Sequence, residues 1–327
     1  LEMPAGESEA RPIWEATMKQ IWGRIILIAS VLWIVPSAWA DDTVLLQGLL
    51  NQARNTCAPV ILEARIYLIS RPLDGTDSGC TLVIRGQGML NTRLVPTAAM
   101  AVILDLSGSR AALHDFSIGD WTQPSVPPVA GMGVLLAATT TGASDMVLFD
   151  HVYITGRYST AALYNYGVSS SSCLKSAFYN YHPDWGAAMK FSANNTSGVL
   201  SPFKTLLGGW LSTSDWSFVG CEIHRFTQSP YVPTLDLDAV GAITFFGGNI
   251  SGIWPGGGNS AYVVFEGAGP SKAITFVGTS FYTDAPNHPA SVFRADTSVE
   301  LLLLGINWPP DLTLFAGGPY TRGTILP

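Results

Sequence analysis

One eight-residue pattern recurs along this chain at a nearly constant interval. ITFFGGNI at 243–250 aligns position for position with ITFVGTSF at 274–281, an offset of 31. WSFVGCEI at 216–223 precedes the first by 27 residues, and LLLLGINW at 301–308 follows the second by 27. All four share a glycine: Gly220, Gly247, Gly278 and Gly305. Weaker copies stand upstream, VLFDHVYI at 147–154 and AALHDFSI at 111–118. The offset of 69 from Ile154 to Ile223 leaves room for two more turns, with SCLKSAF, ending at Phe178, as one candidate. Further strand-like runs fall between the units at 134–136, 262–265 and 291–294.

A repeat of this length without helical periodicity leaves few architectures. Helical and leucine-rich repeats would show their own periods, and a propeller blade needs more residues, about 40. A coil of two or three short strands fits. Such coils stack at about 4.8 Å and pair their backbones with the coils above and below. The expected fold is therefore all-β, a single-stranded right-handed parallel β-helix. Period-two alternation places Ile118, Ile154, Ile223, Ile250, Phe281 and Trp308 in one inward column. Phe116, Val152, Cys221, Gly248, Thr279 and Ile306 form a second.

Not all 327 residues belong to that fold. Met18, Lys19 and Arg24 precede an apolar run at 25–35, followed by PSAWA at 36–40. A basic start, an apolar stretch and an A-x-A site have the order of a secretory signal peptide, with cleavage expected after Ala40. The run is shorter than the ~20 residues of a spanning helix. Residues 1–17, polar and acidic, are set aside as an over-extended or non-native start. The expected organisation is thus 1–17, a signal peptide at 18–40 and one β-helix domain at 41–327, in a secreted or periplasmic protein.

Residues 1–40 hold three Lys or Arg and four Asp or Glu, so the remainder carries 14 basic and 20 acidic side chains, a net −6. No cluster of Lys and Arg is present to neutralise phosphates, which argues against nucleic acid as a partner. No later stretch is long enough to enter a membrane. Cys57 and Cys80 each precede an apolar strand and could bridge if those strands are neighbours, closing a loop worth roughly 3 kcal/mol. Cys173 and Cys221 fall inside strand patterns and read as small buried apolar residues.

The segment 43–118 resembles the start of the pectin-lyase-like superfamily, in particular the pectate-lyase-like module shared with phage tailspikes. It carries a short amphipathic helix (VLLQGLLNQARNT), a strand ending near a tyrosine (VILEARIYLIS) and an apolar strand (TLVIRGQGMLNTRLV). In place of the family's Pro-Ala-Gly-Thr-Tyr turn stands EARIY at 63–67. The resemblance implies a helix capping the open end of the core, with Val44, Leu45, Leu49 and Leu50 as its apolar face. It implies action on an extracellular or cell-surface polysaccharide, as a lyase or glycoside hydrolase. The alternative is a non-catalytic adhesin, envelope protein or carbohydrate-binding scaffold. Tailspikes of this fold are trimers, which leaves a homo-oligomer open.

No polygalacturonase-type run of carboxylates stands in the repeat. Asp236 and Asp238 alternate on one side of a strand, too few ligands for a convincing calcium site. No metal or cofactor is otherwise expected. The outward column offers more. Tyr153, Glu222 and Asn249, flanked by His151, His224 and Tyr282, would put phenol, carboxylate, amide and imidazole groups on one face, a set suited to sugar hydroxyls. Glu222, His224, Tyr153 and His151 are the catalytic candidates, by acid–base chemistry. Asn249, Tyr282, Arg225, Trp185 and Trp254 are the substrate-binding candidates, the tryptophans as stacking platforms and Arg225, with Arg157, as the nearest cation.

Overall fold

The computed structural model describes residues 41–120, 130–140, 145–195, 198–226, 231–253, 261–267, 269–282, 289–317 and 320–326. The chain divides into two units at the Ala40/Asp41 junction, and the second, Asp41–Pro327, is the β-helix.

Every strand pair in it is parallel, and each coil pairs with the coils before and after it in sequence. Three stacks of strands result. The first contains Leu82–Arg85, Ser171–Leu174, Trp216–Val219, Gly241–Phe246, Ser271–Val277, Val299–Leu304 and Tyr320–Leu326. The second contains Ile66–Ile69, Arg93–Pro96, Ala177–Asn180, Glu222–Phe226, Asn249–Ile253 and Ser280–Tyr282. Ala111–Ile118 and Val147–Gly156 run through both. The third contains Leu73–Asp74, Met100–Asp105, Ala130–Ala137, Tyr158–Tyr166, Ala187–Ser192, Leu235–Asp238, Ala261–Glu266, Ser291–Ala295 and Thr313–Gly317. The fold is the expected right-handed parallel β-helix.

A residue in the left-handed region bends the first stack into the second, joined by a second one, Gly248, in the coil of Gly247. The shared glycines occupy this corner, with φ of 62°, 62°, 61° and 55° at Gly220, Gly247, Gly278 and Gly305. Their amides donate to the next coil, as Gly220 N to Phe246 O at 2.9 Å and Gly247 N to Val277 O at 2.7 Å. Upstream the corner is taken by Asp115, His151 and Lys175, with φ of 60°, 54° and 42°. The repeat is strongest where glycine relieves this conformation, which costs other L-residues about 1–2 kcal/mol.

The inward columns stack in register. Ile118 pairs with Ile154, Ile154 with Phe178, Phe178 with Ile223, Ile223 with Ile250 and Ile250 with Phe281. In the first stack Phe218, Phe245 and Phe276 form a ladder of parallel rings, successive centroids 4.7 Å apart. Only one coil, not two, lies between Ile154 and Ile223. The extra length leaves the barrel between Ala187–Ser192 and Trp216–Val219. It lies on the outside of the third stack, where Val199, Leu206 and Leu211 pack on Val102, Met132, Leu135, Tyr164 and Tyr166. Tyr166 anchors it by donating its hydroxyl to the carbonyls of Leu207 and Gly209.

The capping helix, α1 (Thr43–Thr56), is present and buries half of the expected face: Leu50 is buried and Leu49 packs against the core, but Val44 and Leu45 do not. Thr43, Leu46, Leu50 and Ala53 face the core, whereas Val44 and Leu45 are 69% and 50% exposed. The 3-4-3 spacing of the buried set is one helical stripe, and positions 44 and 45 lie off it. Cys57 follows the helix in a left-handed cap and is bonded to Cys80, with Cα atoms 5.8 Å apart. Cys173 and Cys221, expected as unlinked apolar residues, are also disulfide-bonded, with Cα atoms 6.7 Å apart. They are buried on adjacent coils on the two sides of the left-handed corner, and parallel stacking brings their sulfurs together.

Candidate functional site

The second stack faces outward through two columns. Tyr153, Ala177, Glu222, Asn249 and Ser280 occupy one, in continuous register. Thr155, Tyr179, His224, Ser251 and Tyr282 occupy the other. Alternation along each strand makes both columns outward, so the face carries one phenol or polar group about every 4.8 Å.

At its centre Tyr179 donates its hydroxyl to Glu222 Oε2 at 2.6 Å. The rings of Tyr153 and Tyr179 meet edge to face at 5.0 Å. Tyr181 and Phe226 stack at 4.3 Å, with an interplanar angle of 11°. His224 is buried between Tyr179 and Phe226, ring centroids 5.2 and 4.1 Å away, and its Nδ1 hydrogen-bonds the Ser251 hydroxyl. Burial, with the Glu222 carboxylate nearby, pushes the Tyr153 phenol up to about 12 against the pull of the Thr155 hydroxyl. Burial and the bond to Glu222 raise Tyr179 further, and burial also raises Tyr181. These phenols stay protonated at neutral pH. They suit hydrogen-bond donation and ring stacking, and Tyr153 is not poised as a base.

The expected residues divide accordingly. Tyr153, Glu222, His224, Asn249 and Tyr282 share this face, and Tyr282 is close enough to act electrostatically on Tyr179. His151 does not share it. It occupies the left-handed corner, where its Nδ1 lies 2.7 Å from Asp150 Oδ1, while Oδ2 of the same aspartate meets His114 Nδ1 at 3.3 Å. Arg225 is turned inward rather than toward a ligand. It is fully buried and donates to the carbonyls of Gly186, Trp185, His182 and Phe226 at 2.6–3.3 Å. Its guanidinium fixes the turn 182–186 and, fully buried, lies out of reach of a uronate. Trp185 stands on that turn with 65% exposure. Trp254 lies outside the described residues. Tyr179, Tyr181 and Phe226 were not anticipated. The alternating Tyr-Asn-Tyr after Phe178 was their signal in the sequence.

The third stack carries a different set of groups. Lys190, Asp236 and Glu266 come from three successive coils. Lys190 Nζ lies 2.6 Å from Asp236 Oδ2 and 3.0 Å from Glu266 Oε1. Burial and the nearby Glu266 raise Asp236 to about 7, against the pull of Lys190. Burial would raise Glu266 as well, but Lys190, hydrogen bonds and Arg294 outweigh it and hold Glu266 below its usual value. Burial would lower Lys190, but the two carboxylates raise it. Asp236 is therefore occupied by an ammonium, and Asp238 accepts the Ser192 hydroxyl at 2.7 Å, so the pair does not form the cation site considered from the sequence. Among the described residues no group of three His, Cys, Asp or Glu side chains is arranged to hold a metal.

No family model matches the sequence, and no curated protein does. Solved structures do match. ORF18 of Geobacillus virus E2 superposes with a TM-score of 0.50 at 14% identity, over 87% of this chain and 56% of its own. WceF of Pantoea stewartii, described as a glycan biofilm modifying enzyme with a bacteriophage tailspike-like parallel β-helix fold, gives 0.49 at 10%, over 88% and 37%. An alginate lyase from Paenibacillus sp. str. FPU-7 gives 0.48 at 13%, over 83% and 96%. The chain thus spans about half or less of the first two. At these identities the likeness is one of fold.

Proposed function

Starting from the right-handed parallel β-helix fold of the pectin-lyase-like superfamily, we propose that this protein is exported and acts on an extracellular or cell-surface polysaccharide, which it recognises on the outward face of the second stack. The observation that carries this reading is the aromatic run Tyr153–Tyr179–Tyr181–Phe226 around the Tyr179–Glu222 pair. Sugar rings present C–H faces that stack on aromatic rings, with hydroxyls at their edges. Glu222 accepts one phenol at Oε2 and can accept sugar hydroxyls at its other oxygen, while Asn249 offers donor and acceptor on the next coil. Two disulfides support export to an oxidising compartment, as does the signal-like segment at 18–40.

The face is better equipped to bind than to cleave. Glu222 has no carboxylate partner in its outward columns, and Arg225 is committed to the turn 182–186. A screen of the chain from residue 41 on an array of bacterial, algal and plant polysaccharides should give binding to at least one polymer. Tyr179→Ala and Tyr153→Ala should weaken it together, by ~10-fold or more each for a lost stacking platform worth about 1.5 kcal/mol. Binding that survives both substitutions, or no binding to any polymer, would overturn the reading.

A further inference from the structure

We propose that Lys190 and Asp236, cross-strand neighbours on the outside of the third stack, join in an intramolecular isopeptide bond between Nζ and Cγ, formed by the folded chain itself with Glu266 as acid–base catalyst. This is a self-modification site of the fold, and it is independent of what the recognition face binds.

Register brings the three groups together. Lys190 pairs with Asp236 across adjacent parallel strands, and Glu266 comes from the coil after, where it pairs with Asp238. Lys190 Nζ lies 2.6 Å from Asp236 Oδ2 and 3.0 Å from Glu266 Oε1. At the usual angle of a hydrogen bond to a carboxyl oxygen, this puts Nζ about 3.3 Å from Asp236 Cγ, inside the ~3–3.5 Å at which reacting atoms are poised. Nucleophile, electrophile and proton carrier are all side chains already in contact, so nothing has to enter from solvent.

The surroundings favour the reaction. The Lys190 and Asp236 side chains are 11% and 10% exposed. In their outward column Tyr164 flanks Lys190 and Val264 flanks Asp236, and both flanking residues are fully buried. Tyr164 belongs to the cluster on which the excursion after Ser192 packs. Asp236 Oδ1 is buried with no hydrogen-bond partner among the described residues. A buried carboxylate oxygen without a donor is costly, so Asp236 leans toward the neutral acid, the form that an amine can attack. Burial raises it in the same sense, whereas Glu266 is held ionised by Lys190 and Arg294 and can take the ammonium proton. The product replaces a largely buried ion pair with a neutral amide, which removes the desolvation penalty of the charges.

The step balances within the chain. Lys190 passes one proton to the Glu266 carboxylate and becomes a free amine. Its nitrogen lone pair attacks Cγ of the Asp236 carboxyl, forming the C–N bond and a tetrahedral centre whose carbonyl oxygen takes the negative charge. The Glu266 carboxyl gives its proton to the hydroxyl oxygen of that centre. The C–O bond breaks, its electron pair leaves with the oxygen as water, and the carbonyl re-forms. Glu266 then takes the extra proton from nitrogen. One water departs, and no oxidant, reductant or other co-reactant enters.

The deciding experiment is mass spectrometry of the purified protein after reduction and alkylation. The unmutated protein should weigh one water less than its sequence. Its tryptic digest should contain one branched peptide that joins the segments around Lys190 and Asp236, uncut after Lys190. Lys190→Met and Asp236→Ala should each restore the full mass. Glu266→Gln should slow formation of the bond ~100-fold or more, followed by mass through a refolding time course. Asp236→Asn, with Glu266 in place, should lose one ammonia instead of one water, an exchange that an ion pair does not produce. Full sequence mass in the folded unmutated protein, a water loss that maps to other residues, or formation at an unchanged rate in Glu266→Gln would each overturn the proposal. Circular dichroism establishes the fold of each variant, and the mass of the unmutated protein needs no variant. Polysaccharide binding is a separate readout, so the isopeptide bond and the recognition face stand or fall independently.

Discussion

Phe245 and Phe246 are adjacent in sequence and opposite in environment, which gives a sharp test of register. Phe245 points inward, sandwiched between Phe218 and Phe276 at 4.7 Å on each side. Phe246 points outward and is 46% exposed. Truncating Phe245 to alanine removes a buried ring and leaves a cavity, for about 3–5 kcal/mol, of which two stacked contacts at ~0.5–1.5 kcal/mol each are a part. A slip of one residue would exchange the two environments. Against a typical domain stability of about 5–15 kcal/mol the loss is large. At ~2–4 °C per kcal/mol for a chain a little smaller than this one, Phe245→Ala should lower Tm by about 6–20 °C. Phe246→Ala removes little buried surface and should cost under about 1 kcal/mol. Far-UV circular dichroism melts and urea titrations of both variants decide it. Equal losses, or a larger loss for Phe246→Ala, would refute the inward and outward assignment on which every outward column depends.

Other expectations follow the same logic. Gly247→Ala places a Cβ at φ 62° with no atom within 4 Å of it, so the cost is backbone strain alone, about 1–2 kcal/mol, and Gly247→Asn should recover part of it in the same melts. Arg225→Met leaves the carbonyls of Gly186, Trp185 and His182 without their donor, should destabilise the fold by about 1–3 kcal/mol and release the turn 182–186, seen as faster amide exchange there. A ligand-binding arginine would instead leave stability unchanged. While its carboxyl is free, Asp236 has a pKa raised in the fold to about 7 from an ordinary 3.8, so its contribution to stability is full below about pH 4 and is lost as pH rises through 7. The stability of freshly folded protein of full sequence mass relative to Asp236→Ala should therefore decline between those limits in urea titrations, and a flat difference would contradict the assignment.

How far the sequence could be read has a physical explanation. The stacked coils were legible because each repeats the same demands: an inward hydrophobe, an outward polar group and a residue that tolerates the left-handed corner. Gly220, Gly247, Gly278 and Gly305 made the register visible, and Asp115, His151 and Lys175 disguised it upstream. His151 was mistaken for a residue of the flat face for that reason. The excursion after Ser192 was invisible as an excursion, because its apolar residues, Val199, Leu206 and Leu211, resemble the missing second coil. The disulfide between Cys173 and Cys221 follows from coil-to-coil stacking at 48 residues' separation, which neither local pattern contains. The helix face was read correctly at Leu49 and Leu50 and missed at Val44 and Leu45, which lie off the buried stripe. The recognition face was read in part, through Tyr153, Glu222 and His224, because outward columns follow from the repeat. Its aromatic half, Tyr179 and Tyr181, belongs to the weak copy that ends at Phe178. Lys190, Asp236 and Glu266 carry no spacing signal, since they meet only when three coils are laid side by side.

Recognition of a polysaccharide on the outward face of the second stack is decided by a crystal structure with an oligosaccharide of the polymer that binds. Sugar rings are expected over Tyr153, Tyr179 and Tyr181, with a hydroxyl hydrogen-bonded to Glu222. An oligosaccharide bound elsewhere, with this face empty, would contradict it.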